Sequence, residues 1–282
     1  MDAPIVFEDD VVKEILLSKF DTSKKGYLTP NDLATVKTLN NVFKNNTNIT
    51  KFNEFKYFTG LSSNNDEPLY VYINNYFSGC TALTDITFPV LSDNRSFKWH
   101  SRYSSHSPLY NCSSLINVNL NNALFDWTGC HSFYRGCNSL TWSQGLIPSH
   151  WINLSNSLFA NTCNLGFAVI PEGIATNSPD TFNSSKTSYI IFPTTFKLLD
   201  LNNMTRDNLI TSGINIYLKR TDSITKLWST STGYNRTLVF YVPDDLLDDY
   251  QADSSWSTVL SATKWKMYGD SNLPSNLQIY KD

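Results

Sequence analysis

Phe77-Ser-Gly-Cys80-Thr-Ala-Leu83, running on through Ile86-Thr-Phe88-Pro89, is the stretch that organises the rest of the chain. It returns as Leu109-Tyr-Asn-Cys112-Ser-Ser-Leu115, as Tyr134-Arg-Gly-Cys137-Asn-Ser-Leu140 with Pro148 beyond it, and as Phe159-Ala-Asn-Thr162-Cys-Asn-Leu165 ending at Ile170-Pro171. The Cys slot advances by 32, 25 and 25 residues. A weaker copy, Thr181-Phe182…Ser184…Ile190-Ile-Phe-Pro193, stands 22 residues on from Thr162. A fixed period of this length predicts stacked supersecondary units that share one core, and such stacks generally serve as binding surfaces. Short runs of Val, Ile, Tyr and Phe closed by Pro predict one strand per copy, and Ile214–Leu218 and Thr237–Pro243 keep the strand after the Cys phrase has gone.

The 282 residues suffice for a large core or two small domains. A net charge of −3 gives no electrostatic basis for nucleic acid or a membrane surface, and no apolar run is long enough to span a bilayer. Asn, Ser and aromatics are abundant, which suits recognition by shape, stacking and neutral hydrogen bonds. The five cysteines are an odd number. Three hold one slot of the repeat. Rungs about 4.8 Å apart lie within disulfide reach, but a shared slot favours small, buried, unpaired thiols. The N-terminal sequence lacks the basic-then-apolar pattern of a secretory signal.

Residues 1–60 have a different pattern. Apolar spacing predicts a helix over 8–20, and a second helical pattern runs through Leu33, Val36, Leu39 and Val42-Phe43. Between them, Asp21 to Asp32 has the length of a calcium-binding helix–loop–helix, with Asp21 at the first position and Gly26 at the sharp turn. Lys25, however, stands where the fifth-position oxygen ligand belongs, and Asp32 replaces the long bidentate Glu at the twelfth. The expectation is a degenerate loop without metal whose two helices cover the end of the stack. Phe52, Phe55 and Phe58 then predict a half-buried helical turn.

The phrase aromatic-x-Gly-Cys-x-x-Leu-x-x-Ile-x-Phe-Pro resembles the BspA-like leucine-rich repeats of gut and oral bacteria. So does the closing stretch Tyr241-Val-Pro-Asp-Asp-Leu-Leu-Asp-Asp-Tyr250-Gln-Ala…Trp256-Ser, where a strand ending in Val-Pro leads into a short acidic helix and a Trp-Ser. The N-terminal helix–loop–helix resembles the cap that precedes such repeats. The resemblance covers about 8–265. It departs from the family at Thr162, at the loss of the phrase after Phe192, and in its variable period. It implies a strand-dominated α/β chain: residues 1–60 a helical cap, and residues 61–282 a right-handed leucine-rich-repeat solenoid of short parallel strands with a closing segment. It also implies adhesion, or protein or glycan binding, with no catalytic residues and no cofactor. Similar modules occur in virion proteins of phages infecting gut bacteria. The expected setting is therefore a virion component of tail or fibre type, associating with itself or other virion proteins; the alternative is a secreted surface adhesin whose signal has been removed, and the minor alternative is a carbohydrate-active enzyme or an accessory module of one.

No nucleophile elbow, phosphate loop or metalloprotease motif is present, and the four histidines lack ligand spacing. The cluster Asp244, Asp245, Asp248 and Asp249 follows a Pro and reads as a helix start favoured by the helix dipole. The insertion that lengthens the first repeat carries Trp99, His100, Arg102, Tyr103 and His106, side chains common in recognition hot spots, and is the candidate ligand-binding segment. The same aromatics would equally pack the core of their own rung. Trp127, Trp142 and Trp151 would form an aromatic strip if they faced one way, and Lys219–Arg236 is a further candidate loop.

Overall fold

The repeat phrase builds a turn in which one residue must adopt a left-handed backbone. A computed structural model describes residues 2–62, 67–100, 106–126, 130–162, 165–201, 213–229, 237–262 and 265–281. The residue before the Cys slot has positive φ in every copy: Asn45, Gly79, Asn111 and Gly136 in one compact unit, 1–140, and Asn161 and Ser184 in the other, 141–282. Asn and Gly tolerate this conformation best. In the first unit they also alternate for a packing reason. A Cβ on Gly79 would lie 2.3 Å from Asn45 Oδ1, and one on Gly136 would lie 2.2 Å from Asn111 Oδ1. Each Asn side chain therefore needs a bare Cα on the following coil.

The cysteine slot is explained by the same geometry. Cys80, Cys112 and Cys137 donate their thiols to the carbonyls of Phe43, Phe77 and Leu109 on the preceding coil, at 2.9, 3.1 and 3.3 Å. These thiols and that of Cys130, which donates to the Phe97 carbonyl, are buried and not in disulfides. Burial pushes the Cys80 thiol up to about 12 and raises the others strongly, so they remain protonated donors. Phe43-Lys-Asn45-Asn46-Thr-Asn-Ile49 is thereby a further copy of the phrase, with Asn46 in the Cys slot.

In the first unit, α1 (Asp10–Phe20) and α2 (Pro30–Ala34) precede β1 (Lys51–Phe52), β2 (Tyr70–Tyr72), β3 (Asp85–Thr87), β4 (Ser96–Lys98) and β5 (Asn117–Asn119). Strands alternate between two parallel ladders, β1-β3-β5 and β2-β4, the second extended by a bridge from Phe97 to Phe125. Each coil thus contributes two strands, not the one expected. Between the ladders lies an aromatic spine: Phe55 packs on Phe77 and Phe88 at 5.1 and 5.4 Å, Phe88 on Phe125 at 5.4 Å, and Phe125 on Phe133 at 5.3 Å. Phe52, Phe55 and Phe58 are fully buried, around a 3-10 turn at Asn53–Tyr57.

The second predicted helix stops at Ala34. Val36, Leu39 and Phe43 are buried as expected, but Asn40 and Asn45 take positive φ and turn the chain into the first coil. Helix α1 starts two residues later than expected. Asp9 caps it by accepting from the Val12 N–H, and its other oxygen accepts from the Thr50 N–H and hydroxyl at 2.6 and 2.7 Å.

The second unit repeats the alternation. Strands β6 (Asn153–Leu154), β8 (Thr176–Asn177), β10 (Leu198–Asp200) and β12 (Lys226–Ser229) form one parallel sheet. Strands β7 (Gly166–Val169), β9 (Thr187–Phe192), β11 (Ile214–Leu218), β13 (Leu238–Val242) and β14 (Lys266–Gly269) form another. The described strands thus lie in four separate parallel sheets rather than in one continuous curved one. Ala168, Ile190, Ile216, Phe240 and Met267 make the inner row of the five-stranded sheet. Here the slot belongs to Thr162 and Ser185, one residue beyond the expected Ser184, and both hydroxyls donate to the carbonyl three residues back, Phe159 and Phe182. Leu83, Leu115, Leu140 and Leu165 are all buried.

The closing segment follows the expected course. After Val242-Pro243 come a 3-10 turn at Asp244–Leu246, α3 (Leu247–Ala252) and α4 (Ser254–Ala262). Trp256 is fully buried, donating Nε1–H to the Thr225 carbonyl at 2.8 Å, while Tyr250 Oη accepts from the Thr225 N–H. The tail after β14 then lays Leu273 and Leu277 against Ile191, Tyr217 and Tyr241 on the outer face of the five-stranded sheet. Among the described residues no helix is long and apolar enough to cross a membrane.

Two outcomes follow from this geometry. Gly79→Ala should lose roughly 2–3 kcal/mol, from its φ of +77° and the Asn45 contact, whereas Gly145→Ala, which meets nothing, should be near neutral; denaturant melts compare them. Glu54 is 3% exposed, and burial raises its carboxyl above the ordinary 4.5 although Oε1 accepts from the Glu8 N–H. The folded state therefore holds this proton to higher pH than the unfolded chain, and stability is lost as pH rises from 4.5 through the folded value. Glu54→Gln should raise stability at neutral pH by about 1 kcal/mol and lose that advantage in acid. Asp9 has the opposite sign. Its burial is outweighed by the bonds from Thr50, Val12 and Lys51, so its contribution is present above 3.8 and lost as pH falls through the lower folded value.

Candidate functional site

Strands β2 and β4 read inside and outside on alternate residues. Val71 and Phe97 are cross-strand partners and fully buried; Tyr70, Tyr72 and Lys98 point outward and are half-buried. On that outer face the Lys98 ammonium sits 4.2 Å over the Tyr70 ring and 3.1 Å from Asp126, with Glu67 at 3.9 Å. Tyr72 donates its hydroxyl to Glu67 at 2.8 Å. The His100 ring stacks on Tyr72, 4.9 Å between centroids and 30° between planes, and the His100 N–H donates to Asn74 Oδ1 at 2.8 Å. His106 lies edge-on to His100 at 6.4 Å.

Electrostatics fix this array. Burial opposes the charge on Lys98, but the hydrogen bond and attraction from Asp126 outweigh it and raise its pKa. Burial and the Glu67 carboxylate both raise the Tyr72 phenol, so it remains a donor. The result is a set of aromatic faces bordered by fixed donors and acceptors. Both carboxylates lie against one ammonium. Among the described residues no group of His, Cys, Asp or Glu is placed to hold a metal ion.

Of the predicted binding residues, the structure brings His100 and His106 to this face. Trp99 is instead core: it is 1% exposed, donates Nε1–H to the His131 carbonyl at 2.7 Å, and packs on Phe133 at 5.0 Å. The side chain thus packs in the interior, against the following coil, and is not offered to a ligand. Arg102 and Tyr103 lie outside the described residues. Tyr70, Tyr72, Lys98, Glu67 and Asp126 were missed. The alternation of Tyr70-Val71-Tyr72 and Ser96-Phe97-Lys98 was the available signal for the first three.

The tryptophan strip is not formed by the members described. Trp151 is buried, Trp142 is half-buried edge-to-face on Phe159, and Trp127 lies outside the described residues. In the Lys219–Arg236 segment, Arg220 pairs with Asp222, and Trp228 on β12 is 70% exposed; residues 230–236 lie outside the description.

The Asp21–Asp32 loop is closed by its own lysine. Asp21 accepts from the Lys25 and Gly26 N–H groups at 2.9 and 2.7 Å, and the Lys25 ammonium bonds Asp32 Oδ2 at 2.8 Å. Asp32 in turn accepts from the Thr29 N–H and hydroxyl, completing a capping box on α2. The hydrogen bond to Lys25 lowers Asp32 and raises Lys25, so both stay charged. An ammonium thus stands where a divalent cation would be bound.

No protein-family model matches the sequence, and no curated protein matches it. Among solved structures, a leucine-rich repeat protein from Bacteroides ovatus superposes with a TM-score of 0.36 and 13% identity, over 81% of this chain and 62% of that one. This chain therefore spans less than two thirds of that protein's length, and a superposition this loose decides neither fold nor function.

Calcium addition or chelation should leave the melting temperature unchanged, and calorimetry should register no calcium uptake. Lys25→Met should increase amide exchange across 21–32 without unfolding the chain.

Proposed function

We propose that this chain is a non-enzymatic binding protein that presents the outer face of β2 and β4 to its ligand. The observation that carries the reading is the alignment of the Tyr70, Tyr72 and His100 rings beside the Lys98–Glu67–Asp126 group on one rigid ladder. Aromatic faces take up the apolar side of a sugar ring or a peptide side chain, and the bordering charges give hydrogen bonds of fixed direction. The ligand we favour is a glycan or a protein surface, recognised without chemistry on it.

The finer reading rests on the sequence resemblance. The Cys phrase and the Val-Pro closing segment support a BspA-like leucine-rich-repeat protein used in adhesion, as a virion component of a gut phage or as a bacterial surface adhesin. Both settings employ the same face. The neighbouring genes separate them: capsid and tail genes for the first, an upstream lipoprotein signal for the second.

Glycan-array and pull-down screening of the whole chain should return a ligand whose affinity falls about tenfold in Tyr72→Ala and in Lys98→Gln, with melting curves close to the parent. A ligand held equally well by both variants would place recognition elsewhere on the molecule.

A further inference from the structure

Beside the lysine-closed loop lies a pocket of about 310 Å³, lined among others by Lys19, Phe20, Asp32, Thr35, Val36 and Lys37. We infer that this pocket binds a small sugar acid, a carboxylate-bearing polyol of hexuronic type, independently of the β2–β4 face. The loop chemistry determines the sign of the site. Asp32 is the only acidic lining residue, and its carboxylate is already engaged by Lys25 and Thr29. The ammonium groups of Lys19 and Lys37 are therefore not neutralised by the lining, and the pocket is cationic.

The rest of the lining selects among anions. Lys37 is anchored by donation to the Gly60 carbonyl at 3.4 Å and keeps further protons to give. The Thr35 hydroxyl donates to the Asp32 carbonyl, and the Thr38 hydroxyl shares bonds with Asn40 and Tyr76 at 3.2 Å. The Thr35 oxygen is thereby oriented and retains lone pairs for a ligand hydroxyl, whereas that of Thr38, which also accepts from the Asn40 N–H at 3.0 Å, is taken up within the protein. Phe20, half-buried and edge-on to Phe58 at 6.0 Å, gives with buried Val36 an apolar wall for a ring face. A bare inorganic anion would leave that wall and the Thr35 oxygen unused. The volume lies at the small end of ligand pockets, roughly 300–1,000 Å³, which suits one monosaccharide.

Titration calorimetry at low salt on the whole chain tests this with sodium glucuronate, glucose and inorganic phosphate. Glucuronate should bind, with glucose and phosphate at least about tenfold weaker. Lys19→Gln and Lys37→Gln should each weaken glucuronate about tenfold and leave glucose unchanged, as expected for loss of one charge-assisted contact. Both lysines are exposed, so the melting temperature should hold. Tyr72→Ala should not alter the titration, which separates this site from the proposed recognition face. No heat at millimolar glucuronate, or binding unchanged in both lysine variants, would overturn the inference. Phosphate binding as tightly as glucuronate, with the same dependence on the lysines, would overturn the sugar-acid assignment and leave a general anion site.

Discussion

Everything in this chain depends on the tight turn that sends each coil back across the core. Such a turn needs one left-handed residue, and next to it a small side chain able to satisfy a buried carbonyl. Cysteine suits the first unit because its thiol is apolar enough to bury and still donates weakly. Cys80, Cys112 and Cys137 each reach the preceding coil, so the same residue that fills the core also ties coil to coil. Thr162 and Ser185 occupy that slot in the second unit and bond within their own coil instead. A buried hydroxyl is costly when unsatisfied, and the carbonyl three residues back is the nearest acceptor the turn provides. The exchange keeps the turn and places a hydroxyl bond inside the coil.

Once inner rows are committed to Phe, Ile and Leu, function is confined to what points outward. The outer faces differ. On the β1-β3-β5 ladder, Asp85 and Asn117 bond each other at 2.7 Å and Thr87 bonds Asn53 at 2.8 Å, so polar groups spend their capacity on their neighbours. On the five-stranded sheet of the second unit, Tyr217 and Tyr241 are covered by Leu273 and Leu277 of the chain's own tail, which Lys281 fastens to Asp270 at 2.9 Å. The β2–β4 face keeps ring faces and charges together without such a cover among the described residues, and for that reason it is the favoured recognition surface.

The phrase, the strands at 214–218 and 237–242 and the closing helices were legible because each repeats a local pattern with a physical cause. What escaped was information carried by neighbours in space. The copy at Phe43–Ile49 was hidden because Asn46 replaces the cysteine, and only the bond from Cys80 to the Phe43 carbonyl exposes it. The helical spacing of Leu33, Val36, Leu39 and Phe43 was real as a burial pattern, but Asn40 and Asn45 prefer the left-handed region and the coil needs them there. Trp99 and His100 are adjacent in sequence yet lie on opposite sides of their coil, a distinction that composition cannot make and strand register can.

The loop at 21–32 holds its shape through its own side chains. Its ends must be joined by positive charge, and its middle must turn sharply. Asp21 holds the turn through two backbone N–H groups, which requires no ion at all. Lys25 then spans the loop to Asp32 with a single charge on a tether, so the positive partner is never diluted or exchanged. A divalent cation would draw ligands from around the loop and consume Asp32; one ammonium consumes only that carboxylate's charge. The adjoining lysines are then the unmatched charges in the pocket wall, so a loop closed by an internal ammonium borders the pocket proposed to take an anion.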